Sequence, residues 1–132
     1  MASESEPAAL TRVAVIGRVG DEAAKSVAAF LKEMGLEPVH GGAGATPSAE
    51  ALEKLRPVRF AILMRGDRPL ETGFLLGVLG APRLCLLLPT QSSAPGLDAL
   101  ARIPMDNGGV WRLLLARQMK QAGLEVDLNK AL

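Results

Sequence analysis

The sequence predicts a doubly wound α/β domain with a mostly parallel sheet of four to five strands flanked by helices. Short apolar runs alternate with segments whose apolar residues have helical spacing, and tight turns join them. Runs such as RLCLLL are apolar throughout, which is typical of parallel strands covered on both faces. The length of 132 residues, with 48% hydrophobic and 22% charged side chains, fits one globular domain.

The beginning of the chain predicts a tail, a strand and a helix. We expect residues 1–10, which are small, polar and acidic, to form a flexible tail and residues 11–132 to form the domain. The run RVAVIG is β-branched and apolar and ends in glycine, so it predicts a buried strand. The segment DEAAKSVAAFLKEMG predicts a helix that Asp21 caps and Gly35 ends.

The middle of the chain predicts two more strands and two helices before the fourth strand. LEPV is a short strand in which Pro38 indicates an edge or a strand end. PSAEALEKL predicts a helix after the loop HGGAGAT, and RFAILM predicts the third strand. The next helix runs from about Glu71 to Leu79 with Gly80 as its stop, and RLCLLL follows as the fourth strand.

The end of the chain predicts a further strand and a long helix. PTQSSAPGLD is the longest polar loop, and LARIP is a candidate fifth strand. GGVWRLLLARQMKQAG predicts an amphipathic helix, because its apolar residues from Trp111 to Ala122 share a face and Gly123 ends it. LEVDLNKAL is expected to be a short extended or irregular tail.

Composition excludes several classes of function. A net charge of +1 and 3% aromatic residues disfavour a nucleic-acid partner. No run approaches the roughly 18 to 20 apolar residues of a membrane helix, and no signal peptide precedes the domain, so we expect a cytoplasmic protein. Cys85 is expected to be a buried small hydrophobe, and His40, the only histidine, to be structural. We expect no metal site.

Ligands of parallel α/β sheets bind beyond the carboxyl ends of the strands, which places the candidate site in the loops after them. In GRVGDE, Gly17 lets the backbone turn, and Arg18 is either a bidentate phosphate ligand or a solvated side chain. The loop GGAGAT, with Gly42, is either a phosphate-binding loop or a plain flexible turn.

Glu71, in RGDRPLETGFLLGVLG, is the candidate catalytic carboxylate. A glutamate in the first turn of a helix also has a simpler interpretation, because the helix dipole stabilises it by about 0.3 to 1 kcal/mol. Its position after a strand, the small Gly73 two residues on and Asp67 in the same loop favour a functional role. The residues alone leave both interpretations open.

Long stretches of the chain resemble one known family. RPLETGFLLGVLG followed by RLCLLL is similar to the F-E-L-G-x-x-x-G-x-L-G and R-V-C-L-L-Y pattern of bacterial TIR-like predicted nucleotide-binding domains, relatives of the Toll/interleukin-1 receptor domains. GLDALARIPMDNGGVWRLLLARQMKQAGLEVDLNKAL resembles the ending of that family almost position by position. The resemblance covers roughly residues 12–132 and is most specific at the C-terminal end.

The resemblance implies a flavodoxin-like TIR fold and cleavage of NAD⁺, as substrate rather than cofactor, to nicotinamide and linear or cyclic ADP-ribose. It implies that Glu71 is catalytic and that Gly17, Arg18 and Asp21 lie in the first substrate loop. It also implies a role as an effector of antiviral defence, self-association through TIR–TIR contacts and a sensor on a separate chain.

The departures from the family pattern concentrate around the expected substrate. The family's H-G-R-D-E reads IGRVGDE here, an arginine is absent after the second strand, and Thr72 replaces a leucine. The loop RGDRPL before Glu71 is shortened. Two alternatives to a glycohydrolase therefore stay open: a catalytically impaired nucleotide-binding or assembly module, and a related nucleoside or nucleotide N-glycosidase.

Overall fold

The computed structural model describes residues 11–18, 20–41, 48–65, 68–89, 100–105 and 109–131. The strands, in chain order, are β1 (Arg12–Ile16), β2 (Glu37–Gly41), β3 (Phe60–Met64), β4 (Leu84–Pro89) and β5 (Ala101–Met105). The helices are α1 (Glu22–Glu33), α2 (Ala49–Glu53), α3 (Pro69–Leu79) and α4 (Val110–Gln121), with 3₁₀ turns at Ala81–Arg83 and Leu128–Ala131. Within the described ranges, no helix has the length and apolarity that crossing a membrane requires.

The five strands form one all-parallel sheet in the order β2-β1-β3-β4-β5. This confirms the predicted flavodoxin-like α/β fold, including the fifth strand. The order of strands reverses between β1 and β3, because the chain leaves β1 towards β2 and returns to the other side of β1. Such a reversal opens a crevice at the carboxyl ends of the two strands.

Alternate side chains of the three central strands, β1, β3 and β4, enter two separate core layers. Val13 and Val15 of β1 pack in the layer that contains α1 and α4, whereas Ala14 and Ile16 pack in the layer beneath α2 and α3. Strand β4 is buried on both faces, as its continuous apolarity predicts.

The ends of α1 have the local structure that the sequence predicts. The Oδ1 atom of Asp21 accepts hydrogen bonds from the backbone N–H groups of Ala23 and Ala24, at 2.9 and 3.4 Å. Gly35 has φ +81°, and the N–H of Leu36 donates to the carbonyl of Leu31 at 2.9 Å. This is a Schellman ending, which satisfies the last carbonyl groups of the helix. Asp21 therefore fixes the helix end that faces the carboxyl edge of the sheet.

Prolines occur in both edge strands of the sheet. Pro38 lies in β2, which confirms the prediction of an edge strand, and Pro104 lies in β5 at the opposite edge. Proline has no N–H to donate, so an edge is the part of a sheet that tolerates it.

Several element boundaries differ from the prediction. Strand β2 runs to Gly41, so His40 lies in the strand and not in the loop predicted to follow it. Helix α3 begins at Pro69, two residues before Glu71, because proline suits the first turn of a helix. Helix α2 is confined to Ala49–Glu53. The C-terminal segment contains the 3₁₀ turn Leu128–Ala131 instead of being only extended or irregular, and the Asp127 carboxylate accepts the N–H of Asn129 at 2.9 Å at its start.

Trp111 connects α4 to α1. It is buried, and its ring meets that of Phe30 edge-on, with 5.5 Å between centroids and an interplanar angle of 73°. We expect Trp111→Ala to lower the free energy of unfolding by about 3 to 5 kcal/mol through the lost contacts and the cavity left behind. Urea unfolding followed by circular dichroism measures this without the lost fluorophore, and a change below about 1 kcal/mol would contradict the packing described here.

Candidate functional site

A cleft of about 350 Å³ lies at the carboxyl ends of β1 and β2, beside the first turn of α1. The residues that line it are Val15, Gly17, Arg18, Gly20, Asp21, Ala24, Lys25, His40 and Gly41. Three of the predicted substrate-binding residues, Gly17, Arg18 and Asp21, are therefore together in one cleft.

The cleft favours an anionic ligand. Arg18, Lys25 and His40 present cationic or hydrogen-bonding side chains, and all three are exposed. The one carboxylate in the lining, Asp21, already accepts two backbone N–H groups of α1. Lys25 also forms an exposed ion pair with Glu22 at 3.4 Å, and such a pair contributes little to stability in water. Phosphate groups suit this balance of charge.

Gly17 lies in a crowded position, which is a different feature from the predicted turn. Its φ is not in the left-handed region, but a Cβ atom added there would lie 3.1 Å from Cγ of Met64. Strands β1 and β3 therefore approach closely at the point where the strand order reverses.

His40 occupies a different position from the predicted structural one. Its side chain is exposed and lines the cleft from the end of β2. In the sequence His40 directly follows the predicted strand LEPV, which is a position where ligands bind. It is the only histidine, however, and no second metal-ligating or catalytic residue at a known spacing marked it as a site residue.

Glu71 is buried in the first turn of α3, with 2% of its surface exposed. The Arg68 guanidinium holds its carboxylate, because Nη2 and Nε both donate to Oε2, at 2.8 and 3.2 Å. The Arg68 side chain is itself only 14% exposed. Arg68 was not among the predicted site residues; its position three residues before a glutamate permits such a pair but does not by itself predict it.

Helix α3 buries its polar residues and exposes two of its leucines, which is the reverse of an ordinary amphipathic helix. Its only polar residues, Glu71 and Thr72, are buried, whereas Leu70 and Leu76 are 49% and 40% exposed. The Thr72 hydroxyl has no hydrogen-bond partner. A buried polar group carries an energetic cost, which the Arg68 ion pair offsets for Glu71 and nothing in the described structure offsets for the Thr72 hydroxyl.

The structure does not place Glu71 in the lining of the cleft. The cleft is at the carboxyl ends of β1 and β2, whereas Glu71 is in the helix that follows β3. Both therefore lie on the side of the sheet where the strands end, but in different strand-to-helix connections. Gly73 is exposed, and a Cβ atom added there meets nothing within 4 Å, so open space lies beside it. Gly42 and Asp67 lie outside the described residues.

Two other reactive groups do not contribute to this site. Cys85 is buried in β4, as predicted, and burial raises the pKa of its thiol, which keeps it neutral and unreactive at physiological pH. Within the described part of the chain, no three histidine, cysteine, aspartate or glutamate side chains are grouped so that they could bind a metal ion.

Comparison of the chain with family models, curated proteins and solved structures finds no match. The function therefore has to be inferred from the residues of the chain itself.

The Arg68–Glu71 pair can be compared with an exposed pair of the same spacing, Glu53–Arg56, whose two hydrogen bonds are both 3.0 Å. There the Arg56 hydrogen bond lowers the pKa of Glu53 in full contact with solvent. We expect Arg68→Gln to lower the free energy of unfolding by about 3 kcal/mol, because a buried carboxylate loses its partner.

The matched variant Arg56→Gln is expected to lower the urea midpoint only slightly, and much less than Arg68→Gln does, because it loses an exposed ion pair and the contact of Arg56 with the Phe74 ring, 5.4 Å from its centroid. Combining Arg68→Gln with Glu71→Gln removes both charges and is expected to recover most of the loss. Equal midpoints for Arg68→Gln and Arg56→Gln would show that the buried pair has no special energetic weight.

Thr72 provides a second stability test. Thr72→Val keeps the shape of the side chain and removes the unpartnered hydroxyl, so we expect the free energy of unfolding to rise by about 1 kcal/mol. Thr72→Ser keeps the hydroxyl and removes a methyl group, so it should lower the same quantity. A lower urea midpoint for the valine variant would mean that the hydroxyl has a partner in solution.

Proposed function

We propose that this protein is an NAD⁺ glycohydrolase that cleaves the bond between nicotinamide and ribose, with Glu71 as its catalytic carboxylate. The observation that carries the proposal is a carboxylate buried in the first turn of the helix after β3, at the ligand-binding edge of a parallel sheet. A buried charge is costly and is kept where chemistry needs it.

The reaction suits a single carboxylate. Ordinary glycosidases use two, because the leaving oxygen must be protonated. Nicotinamide in NAD⁺ is a pyridinium, so the C1′–N1 bond breaks with its electron pair moving to the ring nitrogen, and neutral nicotinamide leaves without a general acid. Water then bonds to C1′ and loses a proton to solvent, which gives ADP-ribose. Glu71 would stabilise the positive charge that develops on the ribose and accept hydrogen bonds from its hydroxyl groups.

The cationic cleft supports a dinucleotide as the substrate. Arg18, Lys25 and His40 offer charge and hydrogen bonds to phosphate groups, and the cleft lies at the same edge of the sheet as Glu71. In this proposal NAD⁺ is consumed as a substrate, and the protein needs no resident cofactor.

A second function has its own supporting observation. Glu71 is only 2% exposed and its Oε2 atom is occupied by Arg68, which fits a nucleotide-binding or assembly module that has lost hydrolase activity. A nucleoside N-glycosidase would use the same carboxylate and differs in the substrate that it accepts.

The proposed biological setting comes from the resemblance to TIR-like domains. In this setting the protein is a cytoplasmic effector of antiviral defence that associates with itself and responds to a sensor on another chain. No nucleic acid or membrane takes part.

The activity test compares the wild-type protein with Glu71→Gln and with the matched control Glu53→Gln. Each protein is incubated with NAD⁺ at high concentration, with and without a crowding agent, and nicotinamide is followed by chromatography. We expect Glu71→Gln to lower the rate about 10²- to 10³-fold, the usual effect of removing a stabilising group, and Glu53→Gln to leave it unchanged.

The outcomes separate the three functions. Equal rates for the wild type and Glu71→Gln would overturn the glycohydrolase. Binding of NAD⁺ without nicotinamide release would identify a nucleotide-binding module. Release of bases from nucleosides but not from NAD⁺ would identify a nucleoside N-glycosidase.

A further inference from the structure

We propose that Arg68 is a specificity-determining residue, which exchanges Glu71 for a phosphate of the substrate. Both carboxylate oxygens of Glu71 then become available to the ribose only when that ribose carries a phosphate. The inference rests on the proposed function, since it assigns Glu71 to the ribose, and it adds the residue that makes a nucleotide a better substrate than a nucleoside.

The contacts of Glu71 provide the first step. Its carboxylate is buried, and Oε2 accepts two guanidinium N–H groups. Both guanidinium hydrogen bonds end on Oε2, so a ribose hydroxyl that approaches this oxygen meets those donors first. Arg68 must therefore leave Oε2 before a ribose can bind both oxygens of the carboxylate.

The cost of that movement is the second step. Separating Arg68 from Glu71 leaves a buried carboxylate and a largely buried guanidinium without partners, which is strongly unfavourable. Ribose hydroxyls satisfy the carboxylate. Arg68 needs a new anion, and a phosphate can accept two parallel hydrogen bonds from its guanidinium.

The chemistry of the substrate joins the two steps. In a nicotinamide nucleotide, the ribose that loses nicotinamide at C1′ carries a phosphate on its own 5′ carbon. One molecule therefore supplies hydroxyl groups to Glu71 and an anion to Arg68, which is three residues away in the chain and in contact with it. A nucleoside supplies only the hydroxyl groups.

The cleft residues have a different effect. Arg18 and Lys25 line the cleft, whereas Arg68 is the cation in contact with Glu71. Phosphate contacts in the cleft strengthen binding without changing the state of the carboxylate. The contact through Arg68 couples phosphate binding to exposure of the catalytic group.

The kinetic test uses two substrates with the same scissile bond, nicotinamide mononucleotide and nicotinamide riboside. We expect the wild type to prefer the mononucleotide about 10- to 100-fold in kcat/KM, the value of a charge-assisted hydrogen bond. Arg68→Gln should reduce the preference to a few fold, with riboside cleavage rising. Arg68→Lys keeps the charge without the two parallel hydrogen bonds and should be intermediate, while Arg56→Gln should behave like the wild type.

A binding test gives a readout that does not depend on turnover. Inorganic pyrophosphate, which offers phosphate groups without sugar hydroxyls, is titrated by calorimetry into the wild type, Glu71→Gln, Arg68→Gln and Glu53→Gln. Glu71→Gln releases the guanidinium for the phosphate, so we expect binding about tenfold tighter than in the wild type. Arg68→Gln should bind more weakly, and Glu53→Gln should match the wild type.

The results separate this inference from the proposed function. An unchanged mononucleotide preference in Arg68→Gln, or equal pyrophosphate affinity in Glu71→Gln and the wild type, overturns the role of Arg68 even if Glu71 is catalytic. Full activity of Glu71→Gln overturns the glycohydrolase itself. If Arg68→Gln does not fold, the decisive results are the preference of Arg68→Lys and the affinity of Glu71→Gln.

Discussion

The parallel pairing of β1 with β2 on one side and with β3 on the other is the constraint on which the rest of the structure depends. Parallel strands cannot be joined by tight hairpins, so each needs a crossover, and the crossovers cover both faces of the sheet. The same pairing places the carboxyl ends of all strands at one edge. The loop after β1, the end of β2 and the start of α3 therefore all lie on the side of the sheet where the strands end, although they are far apart in sequence.

Burial changes the energetic effect of an ion pair. The exposed pair Glu53–Arg56 has one hydrogen bond to each carboxylate oxygen, whereas both hydrogen bonds of the buried pair Arg68–Glu71 end on one oxygen. Solvent screens the exposed pair and not the buried one. A buried carboxylate destabilises the folded protein unless a partner such as Arg68 compensates its charge. This dependence links the energetics of folding at Glu71 to whatever ligand competes for the guanidinium, and it would give one contact both a structural and a functional consequence.

Local signals predicted much of this fold, and packing determined the rest. Asp21 and Gly35 were predictable because a cap and a left-handed glycine act within a few residues. The contact between Arg68 and Glu71 depends on which rotamers the neighbouring layer allows, so spacing alone did not identify it. The exposure of His40 likewise depends on β2 being at the edge of the sheet, which is decided by long-range pairing. The chemistry of Glu71 was suggested by sequence, whereas its burial was not.

The prolines of the two edge strands bear on how copies of this protein could meet. Pro38 and Pro104 interrupt the row of N–H donors along β2 and β5. A strand from another molecule that approached either edge would find an incomplete hydrogen-bonding ladder, which is a common way for sheet proteins to resist fibrous aggregation. Growth of a continuous intermolecular β-sheet is thus disfavoured, and ordered contacts between copies would have to use helices or loops instead.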